Sequence, residues 1–195
     1  MQLQWNAVSK LPMIKHHLTS NPSQHNGSDR PVECISWNDA VEFCARLTQH
    51  LNQNFCLPSE AEWEYACRAR TKTPFHFGET ITSELVNYDS SYPYQQAPKG
   101  IYLRQTTEIG HFSPNAFGLY DMHGNVWEWC IDSWHSNYVG APIDGSAWND
   151  GGDPSCHVLR GGAWNSRATD CRSAIRLKSG AAERVYNYGL RVVSH

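Results

Sequence analysis

The chain lacks the features that mark several large classes of protein. None of its apolar runs approaches the roughly 20 residues that a helix needs to cross a bilayer. It has 16 Lys and Arg and 19 Asp and Glu, so it has no excess of positive charge to bind the phosphate backbone of a nucleic acid. Its first 15 residues contain no signal peptide, since no basic stretch precedes an apolar one. The sequence predicts no nucleic-acid partner, no membrane insertion and a cytoplasmic location, with surface display through a partner left open.

The seven cysteines lack the spacing of a metal or disulfide framework. No two of them form a CxxC pair, and their number is odd. Zinc ribbons need closely paired cysteines, and small secreted proteins use even numbers of them in disulfides. We therefore expect mostly buried thiols in a reducing compartment.

The N-terminal third carries clear helix signals. Ser36 is followed three residues later by an acidic residue, which is the start signal of a helix over Trp37–Leu51. Apolar residues recur at helical spacing through that range. Ser59 begins a further helix in the same way, and Gln2–Ser9 is predicted to form a short one.

The remainder predicts short strands in long loops. Alternation over 126–130 is typical of a strand, and Leu190–Val193 reads as the last strand. The ranges 70–118 and 135–155 are rich in turn-forming residues. We predict one loop-rich α+β domain over residues 1–195, with the two helices that start at Ser36 and Ser59 in its first third, followed by short antiparallel strands.

The segment 160–193 has rigid-looking ends and an unpatterned middle. It opens with RGGAW and closes with GLRVV. Between them, neither a period of 3.6 nor a period of 2 fits the side chains. Such a segment is more typical of a recognition surface than of a packed core.

Four motifs carry a resemblance to a known family. RPVECISWNDA, LPSEAEWEYACRA, FGLYDMHGNVWEW and RGGAW occur in order along nearly the whole chain. Together they resemble the formylglycine-generating (sulfatase-modifying factor) enzymes, whose domain is a variant of the C-type lectin fold. The resemblance implies a C-type-lectin-like domain. A lectin-like fold alone does not predict sugar binding.

A narrower resemblance concerns the C-terminal segment. The pattern RGGAW…CRSA.R…R….G.RVV looks like the variable region of target proteins of diversity-generating retroelements, in which copying errors at adenines diversify chosen codons. The positions that such copying would diversify are Asn165, Ser166, Arg167, Thr169, Asp170, Ile175, Leu177, Lys178, Ser179, Gly180, Val185, Tyr186, Asn187 and Tyr188.

The enzymes of the family hold copper with two cysteines that follow the RGG motif. Aligned on that motif, Cys171 matches the second cysteine, but Ser166 stands at the first. Copper(I) prefers soft thiolates, and a hydroxyl is a poor substitute. We therefore expect no copper and no catalysis. The oxidase remains the alternative function.

The resemblance also implies a structural calcium site. Asp121 and Glu128, with the carbonyls of Gly124 and Val126, match one such site of the family. Carboxylates and carbonyls are the oxygens that Ca²⁺ prefers. Alternatively, Asp121 caps a turn and Glu128 pairs with an arginine. The family's other calcium site lacks its aspartate here, where the chain reads KGIY.

Members of this fold usually carry a further strand before the position of Met1. Its absence predicts an unpaired edge beside Leu190–Val193, which would favour self-association or docking of a partner. A partner-docking accessory domain is thus a third possible function. We favour a display protein that binds an unknown macromolecular ligand through residues 165–188. Replacing Tyr186 and Tyr188 with alanine is then expected to weaken binding and leave the melting temperature nearly unchanged.

Overall fold

The computed structural model describes residues 1–195, which form three helices and six short strands. The helices are α1 (Gln2–Ser9), α2 (Trp37–Leu51) and α3 (Glu60–Arg68). The strands are β1 (Phe55–Cys56), β2 (Trp127–Trp134), β3 (Asp153–Arg160), β4 (Leu177–Gly180), β5 (Tyr188–Leu190) and β6 (Val193–Ser194). A single 3₁₀ turn covers Ala168–Cys171. The predicted α+β class is confirmed.

Both predicted capping boxes begin helices. The Ser36 hydroxyl oxygen accepts a hydrogen bond from the Asp39 backbone N–H at 3.1 Å and begins α2. The Ser59 hydroxyl accepts from the Glu62 N–H at 3.0 Å and begins α3. Each cap satisfies a backbone donor that has no partner within the first turn.

The main sheet has the strand order β4-β3-β2-β5, and β1 pairs with β6 in a separate two-stranded sheet. The expectation of antiparallel strands alone was incomplete, because β5 runs parallel to β2. The chain between them is long enough for the crossover that parallel pairing requires. The predicted strand Leu190–Val193 is split, since Leu190 pairs with Trp129 and Val193 with Cys56.

The largest core cluster lies between α1, α2 and the main sheet. Trp5 of α1 stacks on Phe43 of α2 with 5.1 Å between ring centroids. Trp129 of β2 is fully buried, and its indole N–H donates to the Ile35 carbonyl at 3.1 Å. These large aromatic side chains supply much of the buried apolar area that stabilises the fold.

All seven cysteines are free thiols, and four of them are buried. No helix has the length and apolar composition that crossing a membrane would require.

Candidate functional site

Two arginines, Arg160 buried and Arg176 half-buried, anchor the C-terminal segment to the rest of the fold. Arg176 forms a bidentate ion pair with Glu60 of α3, at 2.6 and 2.7 Å, between the rings of Trp134 and Tyr138. Arg160 is fully buried. It pairs with α3 through Glu64 and donates to carbonyls of the segment. Paired charges at this depth fix the backbone of the segment, since separating them would leave a charge uncompensated.

The segment begins with a tight turn at Gly161 and Gly162. Both have positive φ, at +96° and +79°. A Cβ on Gly162 would lie 2.6 Å from the Cys171 sulfur, so that position has no room for a side chain. Only glycine adopts this backbone and permits this close approach. The turn sets the direction in which the next residues leave the sheet.

Directly after the turn, Trp164 forms the centre of an aromatic cluster. Its ring centroid lies 5.1 Å from that of His25, 6.1 Å from Tyr102 and 5.8 Å from Tyr186. Trp164 is only 8% exposed, whereas Tyr186 is 40% exposed. The cluster therefore has a buried floor and an accessible upper side.

Hydrogen bonds fix the polar side chains of this cluster. The Asn187 amide donates to Asn165 Oδ1 at 2.8 Å, and Asn165 Nδ2 donates to the Tyr186 hydroxyl at 3.2 Å. The Trp164 indole N–H and Asn187 Oδ1 are buried without a partner in the chain. Such orphaned groups are uncommon in folded proteins and are frequent where a ligand or water completes the bonding.

Two arginines lie over tyrosine rings, one of them over Tyr102 of the cluster. The Arg104 guanidinium lies 5.6 Å from the centroid of the Tyr102 ring, and that of Arg167 lies 4.9 Å from the Tyr92 ring. We use the name aromatic patch for the surface formed by Tyr102, Trp164, Asn165, Arg167 and Tyr186. Rigid aromatic rings combined with arginine and asparagine are the composition of many protein-binding surfaces.

The fourteen predicted variable positions do not form one exposed surface. Four are exposed: Arg167, Thr169, Lys178 and Tyr186. Eight are half-buried: Asn165, Asp170, Ile175, Leu177, Ser179, Gly180, Val185 and Tyr188. Ser166 and Asn187 are buried. Lys178, Ser179 and Gly180 belong to strand β4 and pair with β3.

The expectation that the whole middle of the segment is displayed therefore needs correction. Tyr188 packs edge-on against Trp129, with 5.4 Å between ring centroids. Ile175 and Leu177 also pack against the main core. The physical reason is that the segment re-enters the sheet as β4 and β5, which turns alternate side chains inward.

Ser166 and Cys171 do not offer the donors of a copper site. The Ser166 hydroxyl accepts a hydrogen bond from the Ala163 N–H at 3.0 Å and is buried. Burial raises the pKa of the Cys171 thiol, which opposes formation of the thiolate. No three side chains of His, Cys, Asp or Glu lie close enough together to hold a metal ion. One neutral thiol beside a hydroxyl does not fit copper(I).

Glu128, one of the calcium candidates, is already paired. Its carboxylate accepts two hydrogen bonds from Arg191, at 2.9 and 2.8 Å, and one from the Trp63 indole at 2.7 Å. This is the arginine pairing expected as the alternative to calcium. The Arg191 guanidinium balances the Glu128 charge without a metal ion.

The other calcium candidates have oxygen atoms free. Asp121 accepts one hydrogen bond, through Oδ2, from the Gly110 N–H at 3.1 Å. The carbonyls of Gly124 and Val126 accept no hydrogen bond within the chain. Burial raises the pKa of Asp121, and the neighbouring Glu128 charge acts in the same direction. The donor set fits a hard cation in part, through one carboxylate and two carbonyls.

Sequence reasoning missed the partners of Trp164. Tyr102 was noted only within a degenerate calcium motif, and neither His25 nor Arg104 was singled out. All three lie in irregular stretches whose patterning carries no signal of spatial proximity. The only sequence signal for these contacts was the presence of aromatic and charged residues in loop segments.

The fold and the patch define a loop-rich α+β domain with an aromatic surface beside its C-terminal sheet. Residues 3–195 match the model of the sulfatase-modifying factor enzyme 1-like domain. The chain therefore belongs to this family.

The chain is similar to three proteins with different names. Formylglycine-generating enzyme of Bos taurus is 34% identical over 142 residues, which cover 66% of this chain and 36% of that protein. PvdO from Pseudomonas aeruginosa has a TM-score of 0.74 and 34% identity, covering 86% of this chain and 63% of that one. Variable protein 1 of Treponema denticola has a TM-score of 0.76 and 26% identity, covering 98% and 80%.

These likenesses confirm the C-type-lectin-like fold and both resemblances seen in the sequence. The chain spans little more than a third of the length of the bovine enzyme.

Proposed function

We propose that this domain is a non-catalytic binding protein that displays variable side chains around the aromatic patch. One observation carries the proposal. Exposed Tyr186 packs against the buried Trp164, Arg167 is exposed three residues further along the chain, and the ion pair of Arg176 with Glu60 anchors the same segment. Exposed side chains on a fixed backbone can change at small cost to stability. The likeness to a variable protein supports this interpretation.

Two libraries test the proposal. The first randomises the exposed or hydrogen-bonded positions Asn165, Arg167, Thr169 and Tyr186, and is displayed on yeast. We expect most members to fold, and panning against a panel of unrelated proteins to yield specific binders. A library that folds but yields no binder to any protein would contradict the display function.

The second library is the matched control. It randomises three positions of the same segment that pack on the core, namely Ile175, Leu177 and Tyr188. We expect most of its members to lose surface expression, because core substitutions cost several kcal/mol. Equal expression of the two libraries would mean that the segment has no division into anchored and displayed positions.

Sequencing the gene across its source population tests whether the exposed positions of the segment vary naturally. Under the proposal, variation concentrates at the exposed codons within 165–188, and an adenine-rich near-copy lies close by in the DNA. Codons in this range that are as invariant as those of Trp127 and Glu128 would indicate a single fixed site instead.

An oxidase of the formylglycine-generating type is the second candidate function, favoured by the identity with the bovine enzyme. It requires a copper site at Cys171 with a donor other than Ser166. Incubation with copper(I), a CxPxR peptide, dioxygen as the oxidant and a thiol as the reductant, followed by mass spectrometry, distinguishes the two functions. Conversion of the peptide cysteine to an aldehyde would replace the binding function with catalysis.

We further propose that Ca²⁺ binds at Asp121, Gly124, Val126 and Glu128. A ligand that binds only the folded state raises the melting temperature. We expect CaCl₂ to do so for the wild type and not for Asp121→Asn, with Asp144→Asn as the exposed control. An unchanged melting temperature in the wild type would leave the ion pair of Glu128 as the whole role of that residue.

A further inference from the structure

A cavity of about 470 Å³ lies between two loop stretches of the chain, 82–87 and 98–103. His111 and Phe112 complete its lining. The Ile101 N–H donates to the Ser83 hydroxyl at 3.2 Å and joins the two stretches. No residue of a helix or strand lines the cavity, so neither end of the chain forms part of its wall.

Asn87 supplies a hydrogen-bond acceptor without a donor. The residue is 2% exposed, and its Oδ1 is buried with no partner in the chain. The orientation of the amide is fixed, because Nδ2 donates both to the Gln105 carbonyl at 2.8 Å and to Asn125 Oδ1 at 3.3 Å. Neither partner lines the cavity, so the oxygen is the end of the amide that faces it. A ligand N–H in the cavity would satisfy this acceptor, which is costly to leave unpaired.

The two walls of the cavity carry opposite charges. Glu84 lies on one stretch and Lys99 on the other, and both side chains are exposed. Neither forms an ion pair within the chain. A ligand with charges of both signs is complementary to these walls, whereas a simple cation or anion would meet one like charge.

Part of the lining is apolar. Ile101 and Leu103 line the cavity and are 73% and 38% exposed. Tyr102 between them lies instead beside Trp164 in the aromatic patch and does not line the cavity. The cavity and the patch are therefore separate sites on either side of one stretch of chain. Apolar walls with a few polar groups are typical of sites for small ligands, and the volume is within their usual range.

We propose that this cavity binds a free α-amino acid with an aliphatic side chain. The ammonium group of the ligand donates to Asn87 Oδ1 and pairs with Glu84. Its carboxylate pairs with Lys99, and its side chain packs on Ile101 and Leu103. Each polar group of the ligand thus meets a group that has no partner within the chain.

L-Leucine and two analogues test the contacts separately. Isoamylamine keeps the ammonium group and lacks the carboxylate, whereas isocaproate keeps the carboxylate and lacks the ammonium group. In NMR titrations of the isotopically labelled full chain, we expect L-leucine to bind with a Kd of about 1 mM or below. Each analogue should bind about tenfold more weakly or worse, because one charged contact is lost. The side-chain amide signals of Asn87 should shift as L-leucine binds.

Charge-removing variants assign the two contacts. Glu84→Gln should weaken binding of L-leucine and isoamylamine but not of isocaproate, because only the ammonium contact is lost. Lys99→Gln should weaken binding of L-leucine and isocaproate but not of isoamylamine. Glu79→Gln and Lys72→Gln are the matched controls, since they remove the same charges from exposed positions outside the cavity. They should leave all three affinities unchanged.

Several results would overturn the proposal: no binding of L-leucine at about 10 mM, Asn87 signals that do not shift, or equal losses of affinity in the variants and their controls. L-Leucinamide that binds as tightly as L-leucine would identify the amino terminus of a peptide, and not a free amino acid, as the ligand. The aromatic patch takes no part in these measurements, so the proposal stands or falls independently of the display function.

Discussion

Tyr186 and Tyr188 lie two positions apart and belong to different parts of the molecule. Tyr186 is exposed beside Trp164, and its hydroxyl accepts a hydrogen bond from Asn165. Tyr188 begins β5 and packs on the buried ring of Trp129. One residue type therefore serves an accessible surface at one position and the core at the other. The difference arises because the chain enters the sheet between them, so that burial follows strand geometry and not residue identity.

Arginines of the segment divide in the same way. Arg176 is anchored by Glu60 between two aromatic rings, whereas Arg167 lies exposed over Tyr92. Anchored and displayed residues thus alternate along one stretch of chain. Substitutions that affect stability and binding separately test whether the segment is divided in this way.

The largest expected effect follows from removing an anchor. Arg176→Ala leaves the buried Glu60 carboxylate without its partner, which should lower the free energy of unfolding by about 3–5 kcal/mol. Urea denaturation measures the loss. The matched control, Arg167→Ala, should change stability by no more than about 0.5 kcal/mol. Equal effects of the two substitutions would abolish the distinction between anchored and displayed arginines.

A smaller loss is expected for the anchored tyrosine. Tyr188→Ala removes an aromatic contact with Trp129 and leaves a cavity, at a cost of about 2–4 kcal/mol. Tyr188→Phe keeps the ring and should retain most of the stability in thermal denaturation. A lower melting temperature in Tyr188→Ala would revise the expectation, drawn from sequence alone, that alanine at both tyrosines leaves the melting temperature unchanged. An unaltered melting temperature in Tyr188→Ala would reinstate it.

The smallest effect on stability belongs to the displayed tyrosine. Tyr186→Ala should alter the free energy of unfolding by no more than about 0.5 kcal/mol. Tested with a binder selected by panning, it should weaken affinity by about tenfold or more, as for a hot-spot residue. Tyr186→Phe tests whether the hydroxyl bonded to Asn165 contributes. A folded Tyr186→Ala variant with undiminished affinity would remove this side chain from the binding surface.

Local signals in the sequence were sufficient for the helices. Ser36 and Ser59 determine helix starts through contacts only three residues away, so pattern alone finds them. The alternation over 126–130 predicts a strand there, and the strand in the structure continues to Trp134, with residues of both faces buried. Family motifs located the RGG turn and the carboxylates Asp121 and Glu128.

The aromatic patch depended on contacts that no local pattern encodes. Tyr102 reaches Trp164 through irregular chain, and nothing in the intervening spacing indicates their approach. The side chains of 165–188 follow no regular period in the sequence. The division of this segment could not be foreseen, because the inward turn of Tyr188 depends on parallel pairing with β2.

The glycine pair before Trp164 also has an evolutionary meaning. Any side chain at Gly162 would collide with Cys171. We therefore expect substitutions at that turn to destabilise the fold, whatever their effect on binding. Arg167, three residues beyond Trp164, is exposed, and a substitution there should cost little stability. Within a few residues the chain thus passes from a turn where substitution is strongly destabilising to exposed positions where it costs little stability. Under the proposed display function, substitutions at Arg167 can change binding specificity without unfolding the domain.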